Sequence, residues 1–487
     1  MTNYVMRKRV ATTALAGAII WTAAFGTAPV WAQDVTANAY TEQEARIHEV
    51  LQKILNGHVN NNLDIKKLTD GAIRGIVAET GDPYTAYFTD DEFTNFIGEV
   101  EGQFSGIGIY VAQRNQSFFV DSVVTDSPAS KADLRSGDEI VVINGQKIAG
   151  KTIDEVTEEM KGQSGTQVEL QVRRHNQLIT KIVKREDMQT SPVDSIMLDG
   201  KIGYMTLYTF SYNIADVFKE QLARLQKDGM KSLIIDLRDN PGGHIEGAID
   251  IADLFVEHGT LVNMVSRSGK KLSIPATGKG TAIPMVVLVN GNTASASEIL
   301  TGALQDHGAA RIMGTKTFGK GTVQEITPLD KGGVLKMTVE EYFSPNMHKI
   351  NGIGLVPDDV VQNPNEQVVK AITYLTGATS LHLFADGKVS FSGFPPAVTP
   401  FAKQVNGRWY IALRPFAQAY GYRISWDGAK QQAALRIGET ERKYAVQGNP
   451  HVRSENGMTW VALDQLDRDF TAISLEKKEA ELLVHIK

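Results

Sequence analysis

Apolar residues change their spacing several times along the chain, and each change predicts a different kind of element. Arg7, Lys8 and Arg9 precede an uncharged stretch, 10–32, that ends Pro29-Val30-Trp31-Ala32 before the polar Gln33 and Asp34. A basic start, an apolar run and a Val-x-Ala ending predict a secretory signal cut after Ala32. The same stretch approaches the length of about 20 residues that spans a bilayer, so a retained anchor is the alternative. Either form carries the chain out of the cytoplasm. Ile47, Val50, Leu51, Ile54 and Leu55, then Leu68, Ile73, Ile76 and Val77, recur at helical spacing, and Asp82-Pro83-Tyr84 marks a turn before Phe93, Phe96 and Ile97. Over 103–185 the apolar runs shorten to strand length, and 187–195 reads as a linker. Buried strands are then predicted at 202–207, 233–237 and 285–289, with helices over 245–256 and from Ile299 until Gly308. Strands at 326–329 and 334–342 and a helix at 367–375 follow. This alternation predicts an α/β core.

Two stretches carry candidate chemistry. Gly-Asn-Thr-Ala-Ser-Ala-Ser-Glu, residues 291–298, turns a strand into a helix at Ser295. A hydroxyl there sits beside unbonded backbone N–H groups and the positive end of a helix dipole, where an oxyanion is stabilised. Small Ala294 and Ala296 leave room for a substrate carbonyl. The other reading is a helix cap, because Ser295 with Glu298 three residues later is a capping box. Ser297 is a rival nucleophile. In the second stretch Lys320 lies between Gly319 and Gly321, and on an extended chain Lys320, Thr322 and Gln324 share one face. A lysine acts as a base only as a neutral amine, and lowering its pKa by ~3 units through burial costs roughly 4 kcal/mol. Flanking glycines let backbone close over such an amine; the alternative is an ordinary lysine in a surface turn.

Thr-Ala-Ser-Ala-Ser-Glu-Ile at 293–299, Thr-Phe-Gly-Lys-Gly-Thr-Val-Gln at 317–324, and the 25 residues between Ser295 and Lys320 resemble the carboxy-terminal processing peptidases, or tail-specific proteases. The resemblance implies a serine endopeptidase with a Ser-Lys dyad: Ser295 as nucleophile, Lys320 as general base, Gln324 as the group that orients the lysine. It also implies oxyanion donors at the N–H groups of Gly243 and Ala296, the former in Arg-Asp-Asn-Pro-Gly-Gly at 238–243, where either Gly242 or Gly243 could face inward. His244 invites a Ser-His-Asp assignment, but the family's base is the lysine. The implied core is crotonase-like or Clp-protease-like, and Gly352-Ile353-Gly354-Leu355-Val356-Pro357-Asp358 is another stretch such cores carry.

Ser105-Gly106-Ile107-Gly108-Ile109, the strand at 118–124, Ser127-Pro128-Ala129 and Ile143-Asn144-Gly145 resemble, in order, a PDZ domain of the protease-associated type. Gly106, Ile107, Gly108 and Ile109 are the candidates for holding a peptide's terminal carboxylate on backbone N–H groups while an exposed edge accepts the peptide as a strand. The implied substrates are proteins or peptides with apolar carboxy-terminal tails. The segment at 33–100 resembles one that pairs subunits, which implies a homodimer. Residues 381–487 resemble the small stalk-like domain found at the amino-terminal end of some copper amine oxidases, with wall or protein contact as its work. Copper is not expected, since His382, His451 and His485 are scattered.

Composition narrows the alternatives. The 487 residues are 42% hydrophobic and 22% charged with a net charge of −6, and no basic run suggests nucleic acid. There are no cysteines, which excludes disulfides, a thiol nucleophile and thiolate metal sites. No metal or cofactor is expected. The expected organisation is an α/β multidomain protein: signal or anchor at 1–32, helical region at 33–100, PDZ domain at 101–187, serine-peptidase core at 188–378, and a small α+β domain at 379–487. A non-catalytic tail-binding adaptor is the rival reading, and it requires that Ser295 or Lys320 be missing. A trypsin-like protease with a PDZ domain would place its serine domain first and use a histidine.

Overall fold

A computed structural model describes residues 18–20 and 37–487, apart from 115–116, 125, 175, 385–387, 395–401, 456 and 479–480. Most of the proposed signal segment lies outside the described residues.

The core sheet has six strands in the order Val193–Leu198, Ile202–Leu207, Ser232–Asp236, Met285–Val289, Arg311–Gly314 and Asp359–Val360, all parallel except the first pair. Its central strands are buried on both faces, hence their continuous apolar runs. Residue parity divides the two faces. Leu233, Ile235, Met285, Val287 and Val289 pack with residues of the helices Ile214–Lys227, Ile245–Asp253 and Ala296–Asp306. Ile234, Val286 and Leu288 join the helix Pro364–Thr376 and the carboxy-terminal residues Leu381, Phe391, Phe416 and Trp460 in one cluster. The last hundred residues therefore do not stand off as a stalk; with the helix Pro364–Thr376 they share one apolar cluster on the second face of the core sheet. The helix expected over 245–256 stops at Asp253, where the N–H groups of Leu254 and Phe255 reach carbonyls three residues back, Ile251 and Ala252, while the side chains of Phe255 and Val256 stay buried.

A second sheet runs Ala18–Ile20, Thr322–Pro328, Val334–Phe343, Thr260–Ser266 and Lys271–Pro275. The amino-terminal region contributes to it. After the turn at Asp82, the strand Ala86–Phe88 pairs antiparallel with Val334–Phe343, then Thr89 and Glu92 form a capping box that starts the helix Asp90–Val100. Phe88 stacks on Phe96 at 5.0 Å, fixing that helix over the strand.

The PDZ sheet has the order Ile109–Arg114, Ser117–Val123, Glu139–Ile143, Gln167–Arg174 and Gln177–Lys184, with its own core of Phe118, Ile143, Leu170 and Val172. The chain enters and leaves this unit along a ribbon in which Gln103–Gly106 pairs antiparallel with Glu186–Gln189. The expected linker is thus mostly strand: Glu186–Gln189 closes the ribbon and Val193–Leu198 begins the core sheet. Its mixed polar composition hid this, since the face of Glu186–Gln189 that is partly buried carries Glu186 as well as Met188.

Candidate active site

Ser295 ends the turn that follows Met285–Val289 and adopts φ 59°, ψ −121°, a conformation costing a non-glycine residue about 1–3 kcal/mol. The surroundings impose it. Thr293 Oγ1 donates to Leu237 O at 2.8 Å, Ala294 N to Asn240 O at 3.0 Å, and Ser297 Oγ to Asn240 O at 3.1 Å. The rival Ser297 hydroxyl is therefore held as a structural donor. Glu298 accepts from Ser295 N at 2.9 Å, completing the glutamate half of the capping box, while Glu298 N donates to the Ser295 carbonyl at 2.7 Å. Ser295 Oγ is buried and has no hydrogen-bond partner among the described residues. The hydroxyl is not a cap.

Glu298 does more than cap its helix. The same carboxylate accepts from Thr317 Oγ1 at 2.5 Å, Gly319 N at 2.8 Å and Lys320 N at 2.9 Å, joining the serine turn to the lysine loop. Burial raises its pKa against those donors. Tyr342 adds a second staple, its hydroxyl reaching the Ser295 carbonyl at 3.0 Å and the Lys320 carbonyl. Two chain segments are thus held together through both ends of one peptide region.

Lys320 is 2% exposed. The flanking glycines explain how: a Cβ on Gly319 would lie 2.8 Å from Gly354 N, and one on Gly321 would lie 2.3 Å from Asn351 N. Only bare backbone lets residues 350–354 close there. The Tyr84 ring shuts the pocket with its centroid 4.6 Å from Nζ. Burial, then the charge of Lys336, hold the amine well below the ordinary lysine range, against the opposing pull of Asp82 and Glu298. Gln324 donates from Nε2 to Thr322 Oγ1 at 2.9 Å and Thr338 Oγ1 at 3.1 Å, and its buried Oε1 has no partner among the described residues. An acceptor is left over beside two fixed threonines.

The two glycines of the 238–243 loop differ. A Cβ on Gly242 would lie 2.7 Å from Ser295 Cβ and 3.0 Å from Ala296 N, so this residue touches the serine turn, but its N–H donates to Asn240 Oδ1 at 2.9 Å. Gly243, at φ 140°, has its carbon face against Phe210 O, and its neighbour His244 donates its backbone N–H to Phe210 O at 2.8 Å. Among the described residues the N–H groups of Gly243 and Ala296 meet no acceptor. The His244 ring bonds Glu101 Oε1 through Nε2 at 2.7 Å.

In the PDZ unit, Gly106 pairs with Glu186 and Ile109 with Val123. The side chain of Ile107 is buried in the domain core, which removes it as a side-chain contact for a ligand. The carbonyls of Ile107 and Gly108 accept from Ala129 N at 2.8 Å and Val124 N at 2.9 Å. Ile109–Arg114 is an edge strand beside the helix Ile153–Met160. Among the described residues no group of three or more histidine, aspartate or glutamate side chains could hold a metal ion.

Several site residues escaped the sequence reading. Asp82, Tyr84, Lys336, Thr338 and Tyr342 all face the lysine pocket, and the only signal was the turn at Asp82-Pro83-Tyr84.

Comparison with known proteins gives three family matches: Peptidase family S41 over 201–361, PDZ domain over 119–174, and Copper amine oxidase N-terminal domain over 389–472. A probable CtpA-like serine protease of Staphylococcus haemolyticus is 28% identical over 435 residues, 88% of this chain and 83% of that protein. Its counterpart in Staphylococcus aureus strain N315 is 35% identical over 328 residues, 66% of each chain, so the match spans just under two thirds of that relative. Among solved structures, a photosystem II D1 C-terminal processing protease is 26% identical, with 69% of this chain and 97% of that one covered and a TM-score of 0.43. With the nucleophile turn and the buried lysine inside it, the region 201–361 matches peptidase family S41, and the chain is a serine-type peptidase that carries a PDZ domain.

Proposed function

We propose that this chain is an extracytoplasmic endopeptidase that captures the carboxy-terminal tail of a protein in its PDZ groove and cleaves a peptide bond with Ser295 and Lys320. The observation that carries the reading is a buried serine hydroxyl without a partner, stapled through Glu298 and Tyr342 to the loop of a buried lysine whose amine is driven toward neutrality. In the first step Ser295 Oγ bonds to the substrate carbonyl carbon while Lys320 Nζ takes the hydroxyl proton. The oxyanion is received by the N–H groups of Gly243 and Ala296, the latter at a helix's positive end. The carbon–nitrogen bond then breaks, the departing amine takes the proton from Lys320, and water repeats the sequence on the acyl-enzyme. Gln324 Oε1 accepts from the transient ammonium and holds it in place.

The PDZ edge strand Ile109–Arg114 takes the tail as an added strand, its carboxylate on the backbone of residues 106–109. A two-stranded ribbon is a natural hinge for moving that cargo. Helices on one face of a largely parallel sheet support a crotonase-like core. Subunit pairing is supported by the helix Ala37–Gly57, whose Ile47, Val50 and Leu55 are exposed. The signal at 10–32 supports export.

The test is degradation of one protein made with and without an apolar carboxy-terminal tail, by the wild type and by Ser295→Ala. Tail-dependent cleavage that vanishes in the variant is expected. Cleavage retained by Ser295→Ala rejects the nucleophile, and indifference to the tail rejects PDZ capture.

A further inference from the structure

The pocket around Lys320 holds a second lysine. Lys336 sits on Val334–Phe343, opposite Ile326 on one side and Ala86 on the other, and is 2% exposed. Its Nζ lies 4.8 Å from the Phe96 ring centroid and 5.7 Å from that of Phe88. Two residues on, Thr338 points to the same face, where it accepts from Gln324 Nε2 at 3.1 Å. Thr338 N also donates to Thr85 Oγ1 at 3.1 Å, and the Asp82 carboxylate takes the Thr85 hydroxyl at 2.6 Å and the Tyr84 N–H at 3.0 Å. One continuous set of contacts therefore runs from Lys336's strand through Thr338 to Gln324 on one side, and through Thr85 and Asp82 to the residue whose ring covers Lys320 on the other.

Burying a second amine here is costly for folding alone. A leucine or methionine would fill the space beside Phe88 and Phe96 without desolvating a charge. Asp82 bears on both lysines. The other charged group bearing on Lys320 is Glu298 of the serine helix, and Tyr84 and Tyr342 are phenols pushed upward by burial and so neutral.

We propose that Lys336 is a positioning residue for the general base: a second buried ammonium whose repulsion keeps Lys320 Nζ proton-free and ready to receive the serine proton. Lys336 itself is lowered to about 8 and so remains mostly charged at neutral pH, while burial first, and then Lys336, hold Lys320 well below the ordinary lysine range. A cationic neighbour is a recognised way to activate a lysine. Asp82 works in the opposite direction and limits the effect. The inference rests on Lys320 being the base, as proposed above.

The experiment is the pH dependence of kcat/KM on a short tailed peptide, for the full chain. Removing the neighbouring charge in Lys336→Met favours protonated Lys320, so the rising limb moves to higher pH by on the order of one unit, which is roughly a tenfold rate loss below the limb. Lys336→Arg, which keeps the charge, returns the limb toward wild type. Asp82→Asn removes the opposing charge and moves it to lower pH. A variant that only loosens packing lowers the rate evenly and leaves the limb in place. An unmoved limb in Lys336→Met overturns the inference. If that variant does not fold, Lys336→Gln is read in the same way. Lys320→Ala separates the two layers: retained activity there removes the base reading itself, whereas a dead Lys320→Ala beside an unmoved limb removes only the role of Lys336.

Discussion

Two groups of charged residues are buried in the catalytic domain, and they are built on opposite plans. On the carboxy-terminal side of the core sheet, Asp236 Oδ1 accepts from Arg238 N at 3.0 Å and Nε at 2.9 Å, and Oδ2 accepts from Arg238 Nη2 at 2.8 Å and Tyr204 OH at 2.7 Å. Arg238 Nη1 donates onward to Pro364 O at 2.9 Å and Gln367 Oε1 at 3.2 Å, tying the helix Pro364–Thr376 to the sheet. Contact with the carboxylate outweighs burial, and the guanidinium is held more firmly charged than in water. Around Lys320 the balance reverses: burial and Lys336 outweigh Asp82 and Glu298, and the amine is held well below the ordinary lysine range. Equal burial thus yields a clasp in one place and a base in the other. What separates them is whether an opposite charge sits in bidentate contact.

The largest effect that would sharpen this contrast is on the lysine side. Lys320→Met removes a desolvated amine and keeps the volume, so activity should fall by on the order of 10⁴-fold or more while the unfolding midpoint holds or rises. A midpoint that drops as steeply as the rate would make Lys320 a structural cation like Arg238. The converse substitution, Arg238→Met, leaves Asp236 buried without its counter-charge and should lower unfolding free energy by about 3–5 kcal/mol in denaturant titration. The pH limb of the enzyme that remains folded should not move. Were it to move, the two clusters would be electrically connected through the sheet and the contrast would dissolve.

The two plans also differ in how far they can be seen in the sequence. Ser295 and the neighbourhood of Lys320 are local: a strand run, small residues, a helix pattern, and glycines on both sides of one lysine. Such features carry their meaning within ten residues. Tyr84, Asp82 and Lys336 act on Lys320 only because Ala86–Phe88 pairs with Val334–Phe343, a register that no local pattern encodes. Glu298 was legible as a cap, yet its acceptance of the Gly319 and Lys320 N–H groups depends on the tertiary approach of the lysine loop. The choice between Gly242 and Gly243 became meaningful only once Asn240 Oδ1 was seen to occupy the first N–H. The carboxy-terminal domain shows the same limit on a larger scale. Apolar runs at 233–235 and 285–289 announce a sheet covered on both faces, but nothing in them says that residues beyond 378 join the cluster on one of those faces.

The smallest expected effect concerns a site between the two plans. His382, at the join of the core and the carboxy-terminal domain, bonds Asp199 Oδ2 through Nε2 at 2.7 Å and Glu481 Oε2 through Nδ1 at 2.8 Å. Burial favours the neutral ring, but the two carboxylates together prevail and raise its pKa above the ordinary 6.5. A group that binds its proton more tightly when folded adds stability that is fully present below its unfolded pKa and fades as pH climbs through the folded value. His382→Gln should therefore cost on the order of 1 kcal/mol of unfolding free energy at mildly acidic pH and less at alkaline pH, where the wild-type ring has lost its charge. Urea titrations of both proteins across that range measure the gap. A gap that narrows with rising pH places His382 with Arg238, as a charge kept by contact. One that stays constant means a neutral imidazole holds the joint by hydrogen bonds alone, and carboxylate contact on two sides is then not enough to retain a charge against burial, which would weaken the rule drawn from the other two sites.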